Sequence, residues 1–181
     1  MKRLTLLRHA KSSWDDHVSR DFDRPLNKRG ARAAMTMGRY ARNHDMHFDY
    51  LIASPAVRVI QTLDTFLDGY GEKIEANWDR RIYLASSATL MDVLRDQPND
   101  ASSMLMLGHN PGLEDLILTL VPDNSTSALR DDVEIKFPTA SLAVMEIDID
   151  KWEDIGPNMA RLVSFTRPRD LDPTLGPDQQ H

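Results

Sequence analysis

Residues 3–10 read RLTLLRHA, a short apolar run that ends in arginine and histidine. An apolar run of this length before polar residues predicts a buried β-strand over residues 3–7. The next stretch, residues 11–26, is polar and irregular. The N-terminal segment therefore predicts a strand whose carboxyl end presents Arg8 and His9.

Predicted strands and helices alternate along the rest of the chain. Further strands are predicted at residues 48–53, 74–77, 103–107, 141–147 and 161–165, and helices at 28–43, 55–67, 88–95 and 113–120. This order is typical of an α/β protein, here a three-layer α/β/α sandwich with a mostly parallel central sheet. Residues 1–166 are expected to form a single domain, and residues 167–181, which hold three prolines, a flexible C-terminal tail.

The ends of the predicted helices carry recognisable signals. Asn27 is expected to cap the first helix, and Ser54 to cap the second with Pro55 at its first position. Gly69 and Gly71 are expected to end that second helix. Residues 123–136 are polar and predict a loop with a short strand.

Composition limits the classes of function. The 181 residues are 41% hydrophobic and 28% charged, with a net charge of -6. A net negative chain is unsuited to nucleic acid, whose affinity for proteins comes from neutralised phosphates. No run is long and apolar enough to cross a bilayer, so no membrane association is expected. The chain has no cysteine and no evident export signal, which together predict a cytoplasmic location without disulfides.

Cationic and imidazole side chains follow three of the predicted strands. Arg8 and His9 follow the first strand, Arg58 the second, and His109 the strand at 103–107. Ligands of open α/β sheets bind beyond the carboxyl ends of the strands. Arginine forks match the oxygens of a phosphate group, and a neutral imidazole can attack phosphorus. The sequence thus predicts an anion pocket, holding phosphate or sulfate, with a nucleophile inside it.

Four motifs in order resemble those of the histidine phosphatase superfamily, whose fold is phosphoglycerate mutase-like. Residues 7–10 (LRHA) are similar to its arginine-histidine-glycine signature, with Ala10 where glycine is commoner. Residues 53–62 (ASPAVRVIQT) resemble its serine-proline-x-x-arginine signature, and residues 107–112 (LGHNPG) its second histidine motif. Residues 24–30 (RPLNKRG) resemble the loop before its first helix.

This resemblance implies a metal-independent phosphatase without a cofactor. By it, His9 is the nucleophile, Arg8 and Arg58 bind phosphate, and His109 is a second donor to the phosphoryl group. Ser12 is a weaker candidate for substrate binding, since only its proximity to His9 supports it.

The sequence departs from many members of this superfamily where they carry a general acid. Residues 79–86 (DRRIYLAS) offer no carboxylate at the expected position and no lid insertion. An alkoxide leaving group needs a proton donor, whereas the imidazole of phosphohistidine leaves more readily. The pattern is therefore similar to the SixA branch, the phosphohistidine phosphatases. Its partner would be a phosphorylated histidine phosphotransfer or phosphocarrier domain.

Two other functions remain open at this point. One is a phosphatase of small phosphoesters such as sugar phosphates or nucleotides, and the other a silent phosphate-binding module. The four remaining histidines are interpreted as surface residues, because nothing in the sequence converges on them: His17, His44, His47 and His181. The turn at residues 138–141 is interpreted as structural.

Overall fold

A computed structural model describes residues 1–14, 20–124 and 127–177. Six strands and six helices are named here in chain order. The strands are β1 (Lys2–Arg8), β2 (Tyr50–Ala53), β3 (Asn77–Trp78), β4 (Ser103–Gly108), β5 (Leu142–Ile147) and β6 (Ala160–Thr166). The helices are α1 (Lys28–Asn43), α2 (Val57–Tyr70), α3 (Ser87–Arg95), α4 (Gly112–Leu120), α5 (Ala128–Ile135) and α6 (Pro168–Leu171).

The described strands form one mostly parallel sheet, in the order β3-β2-β4-β1-β5-β6. β3, β2, β4 and β1 pair in parallel, whereas β5 runs antiparallel to both β1 and β6. The central strands β1 and β4 are buried on both faces, as expected for near-continuous apolar runs inside a parallel sheet. Their carboxyl ends, where the anion pocket was predicted, are therefore adjacent.

Helices cover both faces of the sheet. One apolar core packs side chains of α1 and α2 against one face, and another packs α3, α4 and α5 against the opposite face. Successive residues of β1 alternate between them: Leu6 belongs to the α4 side and Leu7 to the α1 side. The three-layer α/β/α sandwich is thus confirmed.

Two of the helix-end predictions hold. The Asn27 side chain accepts a hydrogen bond of 2.8 Å from the Gly30 amide and caps α1. Gly30 must be glycine, because a Cβ there would lie 2.1 Å from the carbonyl oxygen of Lys11. Gly71 ends α2 in the left-handed conformation, with φ of 85°.

Two others are wrong, both on α2. That helix begins at Val57 after Ala56, and no side chain caps it, because the Ser54 hydroxyl lies 2.8 Å from Nε2 of His109 and accepts only from the Ala56 amide, at 3.3 Å. Gly69 lies inside the helix rather than at its end, where a Cβ would come within 2.4 Å of the Met35 carbonyl oxygen of α1. Gly69 therefore serves the close packing of α1 on α2.

The loop expected at residues 123–136 contains helix α5. Ser127 caps it by accepting from the Arg130 amide at 3.2 Å. The Arg130 side chain is buried and donates to the carbonyl oxygens of Val121 and Leu118 at the end of α4, both at 3.0 Å. A buried arginine that caps a neighbouring helix makes the segment look more polar than its environment, which explains the error.

The expected C-terminal tail carries structure as far as Pro177. Residues 168–171 form α6, a 3-10 turn follows at Pro173–Leu175, and Leu175 packs into the core on the α1 side. Arg29 of α1 donates to the Gly176 carbonyl. Four polar residues at the end, 178–181, lie outside the described residues. None of the helices in the described ranges has the length and apolar character needed to cross a bilayer.

Candidate active site

Strand register brings the predicted site residues together. Arg8 pairs directly with Gly108 across β1 and β4, so His9 and His109 leave neighbouring strands side by side. Their ring centroids lie 5.3 Å apart. Ala53 of β2 pairs with Leu107 on the other edge of β4, which sets Ser54 beside His109. The arrangement follows from strand order and register together.

The His9 ring is fixed in one orientation. Its Nδ1 atom lies 2.8 Å from the Ala10 carbonyl oxygen. Since a carbonyl only accepts, Nδ1 carries the proton and Nε2 keeps its lone pair. Burial, opposed by the bond to Ala10 and aided by the Arg8 charge, lowers the pKa of His9 to about 4. The imidazole is therefore neutral at pH 7.

The His109 ring is held from both sides. Its Nε2 lies 2.8 Å from the Ser54 hydroxyl, and its Nδ1 lies 3.3 Å from a terminal nitrogen of Arg58. Because the guanidinium can only donate, Nδ1 accepts and Nε2 carries the proton toward Ser54. Burial, and then the proximity of His9 and Arg58, lowers the pKa of His109 to about 3.

Arg58 lies in the first turn of α2 and is only 2% exposed. A cation beside the positive end of a helix dipole is unfavourable unless an anion compensates it. Asp21 supplies that anion: its carbonyl oxygen accepts from Arg58 at 2.8 Å and its carboxylate at 3.0 Å.

Asp21 is a site residue that the sequence did not reveal. Its carboxylate also accepts from Arg24 at 3.0 Å and from the Tyr83 hydroxyl at 2.7 Å. Partial burial raises the pKa of Asp21, but the hydrogen bonds from Tyr83 and Arg24 and the charge of Arg58 outweigh it and lower the pKa to about 2. The carboxylate therefore stays ionised. No strand-end signal marks Asp21, since it lies in a 3-10 turn at residues 21–23.

Three guanidinium groups around the pocket retain an unused donor. The buried Nε atoms of Arg8, Arg24 and Arg58 have no hydrogen-bond partner among the described residues. An unpaired buried donor is costly, and a charged one especially so. All three arginines line one cavity, and an anion bound there would offset their positive charge.

The glutamine and threonine after Arg58 hold the loops around His9. The Gln61 side chain accepts from the Leu26 amide at 2.8 Å. The Thr62 hydroxyl accepts from the Ala10 amide at 2.9 Å and donates to the Arg58 carbonyl oxygen at 2.6 Å. Helix α2 thus fixes the loop before α1 and the chain that carries the His9 ring.

All five predicted site residues line a single cavity of about 540 Å³: Arg8, His9, Ser12, Arg58 and His109. The Ser12 hydroxyl accepts a hydrogen bond from Arg24. The turn at residues 138–141 has a part in both structure and site. Pro138 and Thr139 line the cavity, and the Ala140 amide donates to the His9 carbonyl oxygen at 3.0 Å.

The remaining histidines lie apart from the cavity or outside the described residues. His44 is exposed, and its ring lies 2.9 Å from the Tyr40 carbonyl oxygen. His47 is also exposed, while His17 and His181 lie outside the described residues. Within residues 1–14, 20–124 and 127–177, no three histidine, cysteine or acidic side chains cluster as metal ligands.

Comparison with known proteins identifies the family. The family model of the histidine phosphatase superfamily (branch 1) matches residues 4–81. The uncharacterised Mycobacterium tuberculosis protein Rv1276c is 33% identical over 165 residues, which span 90% of this chain and all of the relative. The chain belongs to the histidine phosphatase superfamily.

Solved structures of histidine phosphatases share the whole fold. A candidate phosphohistidine phosphatase SixA from Agrobacterium tumefaciens has a TM-score of 0.77 at 28% identity, covering 92% of this chain and 98% of its own. A second SixA candidate, from Nakamurella multipartitia, has a TM-score of 0.80 at 27% identity, with coverage of 92% and 96%. The predicted phosphoglycerate mutase-like fold and phosphatase class are thereby confirmed.

Proposed function

We propose that this phosphatase removes phosphate from phosphohistidine on a protein, through a phosphorylated His9 intermediate. In this proposal His9 is the nucleophile and Arg8 and Arg58 hold the phosphoryl group. His109 becomes a further donor when its Nε2–H turns from the Ser54 hydroxyl to a phosphoryl oxygen. Ser12 acts by positioning Arg24, because its hydroxyl accepts a hydrogen bond from the Arg24 guanidinium. The two SixA candidates of known structure are named for this substrate class, which supports the choice.

The first half-reaction uses the free nitrogen of His9. The substrate phosphohistidine reacts with its other ring nitrogen protonated. The Nε2 lone pair attacks phosphorus, the bond from phosphorus to the substrate imidazolium breaks, and the substrate histidine keeps that proton and leaves as a neutral ring. The proton on Nδ1 remains in its bond to Ala10. In the second half-reaction, water attacks the phosphorus on His9, the new P–N bond breaks, and phosphate is released with the protons of water.

The unused guanidinium donors support binding of the transferring group. Arg8, Arg24 and Arg58 line the cavity beside His9, and contacts with Phe137, Ser12 and Asp21 hold their guanidinium groups in place before substrate binds. Such donors act where charge develops during transfer. They serve phosphoesters and phosphohistidine alike and do not select between them.

The protonation state of Asp21 favours phosphohistidine over phosphoesters as the substrate. It is the only carboxylate among the described residues that line the cavity, and its pKa of about 2 leaves it without a proton at pH 7. An ionised carboxylate cannot protonate an alkoxide leaving group. Phosphohistidine needs no proton from the enzyme, because a substrate ring that is already protonated on its other nitrogen leaves as neutral imidazole.

A side-by-side turnover assay tests the proposal. A histidine phosphocarrier phosphorylated on histidine is compared with a phosphoserine peptide and a panel of sugar phosphates and nucleotides, with the His9→Ala variant as blank. We expect kcat/KM for the phosphocarrier to exceed the best phosphoester at least 100-fold. Equal turnover of the two classes would overturn the substrate assignment and favour a small-phosphoester phosphatase.

A further inference from the structure

The cavity is strongly basic in an acidic protein. Eight of its 22 lining residues are arginine or lysine and one is acidic, although the chain carries a net charge of -6. Three of the eight, Arg8, Arg24 and Arg58, supply the buried donors described above. Five more cations line the outer part of the cavity: Lys11, Arg29, Lys136, Arg167 and Arg169.

Two of these outer cations are exposed and unpaired with any described carboxylate. Lys136 follows α5, and Arg169 lies on α6, so neither belongs to an element that carries His9 or His109. Arg167 differs, because it is bound by Asp170 through contacts of 2.7 to 3.2 Å. Lys136 and Arg169 are defined here as the basic rim.

Binding of the scissile phosphate does not require the two cations of the basic rim. Arg8, Arg24 and Arg58 already line the cavity beside His9, and Lys136 and Arg169 add positive charge where the cavity is exposed to solvent. Exposed apolar residues line the same cavity, since Trp14 is 79% and Leu84 56% exposed. Aromatic and arginine side chains around an open pocket are typical of protein contacts.

We propose that the basic rim docks carboxylates that flank the phosphohistidine on the substrate protein. This inference rests on the proposed function and names the partner surface more closely: an acidic one. A positive mouth on a negative protein concentrates acidic partners at the pocket and repels them elsewhere. The attraction acts over roughly 8–10 Å at moderate salt, which spans residues next to the phosphorylated histidine.

Two synthetic phosphohistidine peptides test the docking, one with glutamates flanking the histidine and one with glutamines there. The wild type is expected to favour the glutamate peptide at least ten-fold in kcat/KM, mainly through KM. The double variant Lys136→Glu/Arg169→Glu should lose that preference. A matched control, Lys73→Glu/Arg39→Glu, makes the same charge change at exposed residues outside the cavity and should keep it.

A small substrate distinguishes a variant that has lost docking from one whose catalytic pocket is damaged. N-phosphorylimidazole has no flanking groups but is itself an anion, so its turnover reports the general effect of the charge change on the pocket. In the rim variant, kcat/KM for the glutamate peptide should fall at least five-fold more than kcat/KM for N-phosphorylimidazole, whereas in the control variant neither should change by more than two-fold. Equal wild-type turnover of the two peptides, or a preference that survives in the rim variant, would overturn the docking surface alone. If the wild type hydrolyses neither peptide, the proposed function itself fails, and the docking proposal with it.

Discussion

The Nδ1 atom of His9 lies 2.8 Å from the carbonyl oxygen of Ala10, the next residue in the chain. This contact assigns the ring proton to Nδ1 and leaves Nε2 as an unprotonated nitrogen in the cavity. At pH 7 we expect long-range ¹H–¹⁵N spectra to report a neutral Nδ1–H tautomer for His9. The His9 ring signals are identified because they are absent from the spectrum of His9→Ala.

The same ring should titrate far below an ordinary histidine. Burial lowers the pKa of His9 to about 4, so Nε2 stays unprotonated as the pH falls from 7 to about 5. Because only the neutral ring attacks phosphorus, loss of kcat/KM attributable to His9 should set in near pH 4. An NMR midpoint near 6.5 in the phosphate-free protein would contradict this.

Replacing His9 by alanine should abolish turnover, by at least 1000-fold, because the nucleophile itself is removed. The fold should remain, as judged by circular dichroism and thermal unfolding. Radiolabelled substrate should leave acid-labile label on the wild type and none on His9→Ala. Retention of more than a few per cent activity by the variant would show that another group is the nucleophile.

Arg58→Ala should raise KM and lower kcat together, since contacts with phosphate tighten in the transition state. We expect kcat/KM to fall by roughly 100-fold, the usual scale for losing one preorganised donor. Arg81→Ala is the matched control, because Arg81 pairs with Asp79 and Asp96 on the surface. If both variants behave alike, Arg58 is no phosphate ligand.

Ser54→Ala should lower kcat while leaving the chain folded. The Ser54 hydroxyl is the only described acceptor for Nε2 of His109, and its loss frees that ring to change tautomer. A buried polar group left without its partner costs about 1–3 kcal/mol, which corresponds to roughly 5- to 150-fold in rate if the whole cost falls on the transition state. Nitrogen-15 spectra of His109 should change in parallel. An unchanged His109 spectrum with normal kcat would remove Ser54 from the site.

Asp21→Asn should tighten the binding of inorganic phosphate several-fold. The carboxylate occupies donors of Arg58 and Arg24, and removing its charge removes a competitor for the incoming anion. Isothermal titration with orthophosphate measures the effect, and slower product release should accompany it. Weaker phosphate binding would instead mean that Asp21 serves mainly to hold Arg58 in position.

The sequence predicted the residues at the strand ends well, because strand order and register dictate where those residues meet. His9 and His109 are 100 residues apart in the chain, yet the pairing of Arg8 with Gly108 makes them neighbours. A parallel sheet in which these two strands are adjacent and in this register places His9 beside His109. This part of the site needed only the apolar runs and the residues that follow them.

The sequence did not predict the residues whose roles depend on the direction of their side chains, because no local sequence pattern determines that direction. Serine is a residue type that often caps helices, but the Ser54 hydroxyl contacts Nε2 of His109. Asp21 lies in an irregular stretch and reaches the cavity only because a 3-10 turn carries it to Arg58. Arg130 made a helical segment look like a loop. In each case the polar group has a distant partner that the neighbouring residues do not reveal.

The position of Pro177 at the cavity has a practical consequence for studying the protein. A label, affinity tag or surface tether attached directly after Pro177 starts at the pocket and obstructs the approach of a large phosphoprotein. β1 runs from Lys2 toward Arg8 at the pocket, so an attachment before Lys2 starts at the opposite end of the sheet. Immobilised enzyme intended for bulky substrates should therefore be held by its amino end.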